Sequence, residues 1–452
     1  MVTGMPSNIT APHHAPAPTA RSTARRRPHT WRLRAQGAAV VAVGALGVSA
    51  CGGDGVQDGV TEIDFYYPIA VGGPLESVID GYIEDFNAEH DDIEVTPVYS
   101  GDYEQTLASV QSAAQAGNAP ALTVLGANEL LTIHEAGVIT PIGEIVDDQE
   151  WFDSFYEPFM GDSTLPDGTV ASIPFQRSTI VMYWNQELFE EVGLDPEAAP
   201  ETWDEMAEAG QQVQDSTEAS SGVQVPTSSW LFEAMVIQND VLLDDESGTE
   251  VHFDDPGTVT ALENWTQLQE DGIHPSGNVD WGTAPTDFAN GDTAVLWHTT
   301  GSLTQINESA DFDFGVAPLP AQEQAGSPTG GGNLYVMEDI SEEEQEAAVE
   351  LTRYLSSPEI QADWTVQSGY VPPQQEAWDE EVLADYSEEF PQVEALQEAS
   401  EDAYREYAPY RRSEIVSTLD SALESALDGS ASSEDALTDA QDSSDELLEE
   451  YR

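Results

Sequence analysis

Lysine is absent from this 452-residue chain, and arginine is scarce: twelve residues stand against 86 aspartates and glutamates. Arg21, Arg25, Arg26, Arg27, Arg32 and Arg34 all precede residue 50, a stretch without a single acid, so only six arginines face every carboxylate in the protein. Gripping nucleic acid or an anionic membrane surface requires basic side chains, and this composition argues against both. Cysteine occurs once, at Cys51. One thiol offers no internal disulfide and argues against Cys-based zinc or iron–sulfur sites. Also missing are a nucleophile elbow, a Walker loop, an HExxH pair and a Rossmann glycine pattern, and the eight histidines show no metal-ligand spacing. No metal or cofactor is expected. Carboxylate pairs are too numerous to single out a hydrolase, which stays as the least favoured alternative.

What is present is a foldable, highly acidic chain. Forty per cent of residues are hydrophobic, with ten tryptophans and fifteen tyrosines spread along it, so the acidity does not signal disorder. The chain carries a formal charge of −74, and a compact domain so acidic repels itself at low ionic strength. At about 1 M salt the Debye length falls to roughly 3 Å, and this repulsion fades. The surface suits concentrated brine.

The amino-terminal fifty residues read as processing signals. Arg25 to Arg34 form a basic region, Gly37 to Ala50 an apolar run too short to cross a bilayer comfortably, and Val48-Ser49-Ala50-Cys51-Gly52 a lipobox. The expectation is a lipoprotein signal peptide over 1–50, lipidation of Cys51, and a polar tether over 51–60.

Beyond it, about 400 residues suit two lobes. Ile63, Phe65 and Tyr67 alternate as a strand, and Leu75, Val78, Ile79, Tyr82, Ile83 and Phe86 follow at helical spacing. Strand and helix continue to alternate through Ala121 to Leu125, which predicts α/β lobes with largely parallel sheets. Further strands are expected at 170–173, 180–184, 293–297 and 334–337, a loop or crossing segment at 320–332, and a helical tail over 413–452 broken near 429–433. In such sheets ligands lie beyond the carboxyl ends of the strands.

Several stretches share one pattern. Gly101-Asp102-Tyr103-Glu104-Gln105, Ile173-Pro174-Phe175-Gln176-Arg177-Ser178-Thr179, Tyr183-Trp184-Asn185-Gln186-Glu187-Leu188-Phe189, Gly330-Gly331-Gly332-Asn333-Leu334-Tyr335 and Ser368-Gly369-Tyr370-Val371-Pro372 stand in an order that resembles extracellular solute-binding proteins of ABC importers. The resemblance extends from Thr61 to the carboxyl terminus, and within the family it is strongest to the glycerol-3-phosphate binders, which also accept glycerophosphodiesters. It implies a two-lobed periplasmic-binding-protein-like fold of type II. The lobes would comprise 61–168 plus 299–345 and 169–298 plus 346–452, closing on solute like a hinge. It implies no catalysis, and a monomer held outside the cytoplasm by its lipid anchor, with an ABC permease as partner.

Residue by residue, the resemblance places Tyr103, Ser178, Trp230, Thr299, Gly331 and Tyr370 in the pocket. Two departures stand out. The family's glutamate for glycerol hydroxyls falls at Ala127, beside Asn128 and Glu129; its phosphate-binding arginine falls at Ala408, among Arg405, Arg411 and Arg412. A chain that has lost every lysine should keep arginine where a permanently charged, forked donor is needed, which adds Arg177 and Arg411 to the candidates. The expected solute is glycerol-3-phosphate or a glycerophosphodiester; the alternative, favoured by Ala127, is a neutral mono- or oligosaccharide.

Overall fold

The computed structural model describes residues 59–452 except 73, 246 and 402. The expected signal peptide, Cys51 and all but the end of the tether lie outside the described residues.

Strand β1 (Thr61–Tyr67) turns Ile63, Phe65 and Tyr67 inward and leaves Glu62 and Asp64 exposed, the alternation of a sheet with one buried face. The helix Leu75–Glu89 returns over it, burying Leu75, Ile79, Tyr82, Ile83 and Phe86. β2 (Ile93–Tyr99) and β3 (Leu122–Gly126) then flank β1 in parallel. The helix Tyr103–Gln115 joins them, capped by Asp102, which accepts from the Gln105 amide at 2.8 Å.

The remaining strands are β4 (Ile173–Asn185), β5 (Ser221–Gln224), β6 (Thr293–Thr299), β7 (Phe314–Pro318), β8 (Ser327–Val336) and β9 (Ala403–Tyr404). The order is β2-β1-β3-β8-β4-β6-β5, with β7 on β4 and β9 on β8. The sheets are mixed rather than largely parallel, because β8 runs antiparallel to β3 and β4, and β4 antiparallel to β6 and β7. The strands expected separately at 170–173 and 180–184 are one thirteen-residue strand, buried throughout. Its first half pairs with β8 in the first lobe and its second half with β6 and β7 in the other. The expected loop at 320–332 contains the start of β8.

The cores assign several segments differently from the expected boundaries. Ala348, Leu351 and Leu355 of the helix Glu342–Leu355 pack with Ile63, Phe65 and Val124, as do Trp364 and Tyr370, so this part of 346–452 covers the first lobe. Leu303, Ile306, Phe314 and Val316 instead join Val181, Tyr183 and Leu296 beside the second lobe. That lobe's main core holds Trp203, Trp265 and Trp297, and the tail helices Arg412–Leu427 and Ser433–Leu448 seal it with Ile415, Leu419, Leu423 and Leu437.

Candidate solute-binding cleft

Where β4 and β8 cross between the lobes, a cleft of ≈ 950 Å³ opens. The first lobe contributes the start of the helix Tyr103–Gln115 and the turn Ala127–Glu129; the second contributes the starts of the helices Ser229–Ile237 and Arg412–Leu427. Backbone amides at helix starts favour anionic or hydroxyl-bearing groups.

Six of the eight predicted residues line this cleft: Tyr103, Ser178, Trp230, Thr299, Gly331 and Tyr370. The Tyr103 hydroxyl donates to Gln176 Oε1 at 3.1 Å. Trp230 donates its indole N–H to the Thr329 carbonyl at 2.8 Å, leaving the ring at the cleft, 5.9 Å from Trp281. Thr299 also caps the next turn, accepting from the Gly301 amide. Tyr370 is stacked on Trp364 at 5.8 Å. Gly331 has φ +95°, and a Cβ there would lie 1.8 Å from the Gln176 carbonyl oxygen. Only glycine permits this crossing.

The two predicted arginines are placed elsewhere. Arg177 is fully buried behind the wall, donating to Asp162 at 2.6 Å and Asn333 at 3.0 Å, with its guanidinium over Phe159. It precedes Ser178, and strand alternation turns the two side chains to opposite faces. Arg411 adopts a left-handed backbone at φ 57° and pairs with Glu414 at 2.6 Å and Glu450 at 3.5 Å, away from the cleft.

The arginine in the cleft is Arg412. The left-handed turn at Arg411 starts the helix whose first residue is Arg412, and this side chain meets Glu406 at 3.0 Å and Glu129 at 3.4 Å. Glu129, two residues beyond the fully buried Ala127, is thus the carboxylate that this turn brings to the cleft. Arg412 Nε and Glu129 Oε2 are buried without a hydrogen-bond partner among the described residues. Trp281 was also missed in the sequence, since it lies in an irregular segment outside the shared motifs. A shift of the expected arginine from position 408 by four residues would have found Arg412, but spacing alone did not separate it from Arg411.

Burial pushes the Glu406 carboxyl up to about 7, against the opposing pull of Arg412 and of a hydrogen bond from Asn128. Arg412 is raised further above its already high range by Glu406 and Glu129, despite burial, and remains a cation. Burial lowers His298, packed against Trp281 at 4.0 Å, to about 4, so it is neutral at physiological pH. The cleft therefore offers aromatic faces, hydroxyls, backbone amides and one arginine, the means to hold a small polar solute.

The chain matches the family described as bacterial extracellular solute-binding protein over residues 81–392. The sn-glycerol-3-phosphate-binding periplasmic protein UgpB of Yersinia pestis is 30% identical over 333 residues, 69% of this chain and 74% of the relative. UgpB of Escherichia coli is 29% identical over 355 residues, 74% and 78% respectively. Among solved structures, UgpB of Mycobacterium tuberculosis in complex with glycerophosphocholine superimposes with a TM-score of 0.76 at 22% identity, over 87% of this chain and 99% of that one. The cyclic alpha-maltosyl-1,6-maltose binding protein of Arthrobacter globiformis gives 0.75 at 22%, over 86% and 99%. Both share the two-lobed fold. From the matched span and the relatives together, this chain belongs to the bacterial extracellular solute-binding protein family.

Proposed function

We propose that this protein is the solute-binding component of an ABC import system, capturing a glycerophosphate or glycerophosphodiester between its lobes and delivering it to the permease. One observation carries the reading: Arg412 Nε and Glu129 Oε2, a buried donor and a buried acceptor without partners, belong to side chains that meet across the cleft wall. Buried polar atoms are normally paired, so this pair favours a solute with a phosphoryl acceptor beside a hydroxyl donor. The names of the sequence relatives, which bind sn-glycerol-3-phosphate, agree with that chemistry. In this reading the protein catalyses nothing, acts as a monomer outside the cytoplasm, and is held to the membrane by lipid on Cys51 after removal of 1–50.

A neutral sugar is the second reading. Arg412 is already engaged by two carboxylates, and Asp102, Glu104 and Asp420 add acidity to the wall. Calorimetry in molar salt with glycerol-3-phosphate, glycerophosphocholine and maltose separates the two. Saturable binding of the phosphates supports the first; binding of maltose with no response to either phosphate would replace it with the second. Mass spectrometry of the membrane-associated protein tests the anchor: a lipid-bearing amino-terminal Cys51 is expected, and an intact residue 50–51 bond would remove it.

A further inference from the structure

We propose that Glu406 is a positioning residue that holds Arg412 at the cleft and takes up one proton when an anionic solute arrives, making capture of a phosphodiester proton-coupled. The inference rests on the anionic-solute reading and adds to it a group through which pH controls loading.

The geometry sets up the coupling. Glu406 is 3% exposed and accepts through a single oxygen, Oε1, from Arg412 Nη2 at 3.0 Å and from Asn128 Nδ2. Asn128 belongs to the first-lobe turn Ala127–Glu129, whereas Arg412 opens a helix of the second-lobe core, so this one oxygen joins both sides of the cleft. Its partner oxygen, Oε2, can carry a proton without breaking either bond.

The charges around Glu406 leave few other places for that proton. Arg177 is bound to Asp162, and Arg405 to Asp244, both at 2.6 Å. Glu233, on the helix Ser229–Ile237, accepts from the Tyr407 amide at 2.7 Å. Burial, with Glu406 and Asp244 nearby, holds Glu233 well above the usual carboxylate range. Arg412 is then shared by Glu129 and Glu406, and Glu406 is the more deeply buried of the two. A phosphodiester at Arg412 makes a third anion on one guanidinium. At an effective dielectric of about 20, a unit charge within roughly 6 Å moves a carboxyl by about two pK units. Glu406, already poised near neutrality by burial, is the group that responds. The proton comes from the solvent, forms an O–H bond on Glu406, and returns when solute leaves.

Glycerophosphocholine is a suitable probe because its phosphodiester does not titrate near neutral pH. Its binding to the full chain should be measured calorimetrically from pH 6 to 9, in buffers of low and high ionisation enthalpy. The expected result for the native protein is uptake of roughly half to one proton near pH 8, with affinity falling by up to about tenfold per pH unit between about pH 7 and 9 and levelling off above. Glu406→Gln should show no uptake and an affinity that no longer varies with pH. Binding with buffer-independent heat and a flat pH profile would overturn the coupling while leaving the anionic reading intact. Uptake that persists in Glu406→Gln would overturn its assignment to this residue. Binding of maltose but never of glycerophosphocholine would remove both. Should the variant fail to fold, the native protein's two-buffer comparison still decides whether the coupling exists.

Discussion

At the scale of single residues, the fate of the arginines shows how similar side chains acquire different roles. Arg177, Arg411 and Arg412 are respectively buried in an ion pair, paired at the surface, and set in the cleft. Arg412→Ala should weaken glycerophosphocholine binding by roughly tenfold or more, as expected for losing a charge-assisted hydrogen bond, while Arg411→Ala changes it less than about twofold. Arg177→Ala leaves Asp162 buried without its cation and should cost roughly 3–5 kcal/mol of stability, read from the denaturation midpoint. Scarcity drew attention to these residues in the sequence, but which one enters the cleft depends on strand facing and on a left-handed turn at Arg411. Buried carboxylates supply a second prediction. Burial raises Asp244 to about 6 and Glu406 to about 7, so the folded chain holds protons that the unfolded chain has released. Their stabilising contribution is therefore full below about pH 4 and lost as pH rises to 7. Melting of the native protein compared with Asp244→Asn and Glu406→Gln should show this component of the pH slope reduced in each variant.

At the scale of elements, β4 explains what the sequence concealed. The strand is buried along all thirteen residues, so it lacks the alternation that makes β1 legible, and its centre reads Gln176-Arg177-Ser178-Thr179. Polar residues are tolerated there because Arg177 meets Asp162 and Asn333, Thr179 donates to the Pro328 carbonyl, and Ser178 faces the cleft. Helices with a single buried stripe, such as Leu75–Glu89, were legible from spacing; the mixed direction of the sheets was not, since strand pairing is decided by distant partners. The same crossing makes Gly331 demanding. Gly331→Ala places a methyl on the Gln176 carbonyl at a positive φ, so β4 and β8 must separate. A loss of several kcal/mol or failure to fold is expected, with proteolytic resistance as the readout; a variant that folds normally would show that the crossing relaxes more easily than its geometry implies.

For the whole molecule, charge and fold answer separate questions. The shared motifs conveyed the two-lobed architecture, yet boundaries drawn in sequence missed that the helix Glu342–Leu355 returns to the first lobe, because an apolar stripe does not say which sheet it will cover. The formal charge of −74 says nothing about the solute but predicts a dependence on ionic strength: the thermal midpoint should rise steeply between about 0.05 M and 2 M salt as the self-repulsion is screened. A midpoint indifferent to salt would count against adaptation to brine. Solute capture in the cleft is tested by a crystal structure of the protein with glycerophosphocholine. The phosphate is expected within hydrogen-bonding distance of Arg412, with a glycerol hydroxyl at Glu129 and the headgroup against Trp230 and Trp281. A phosphate bound away from Arg412, or a cleft that admits maltose and leaves the phosphodiester in solution, would contradict it.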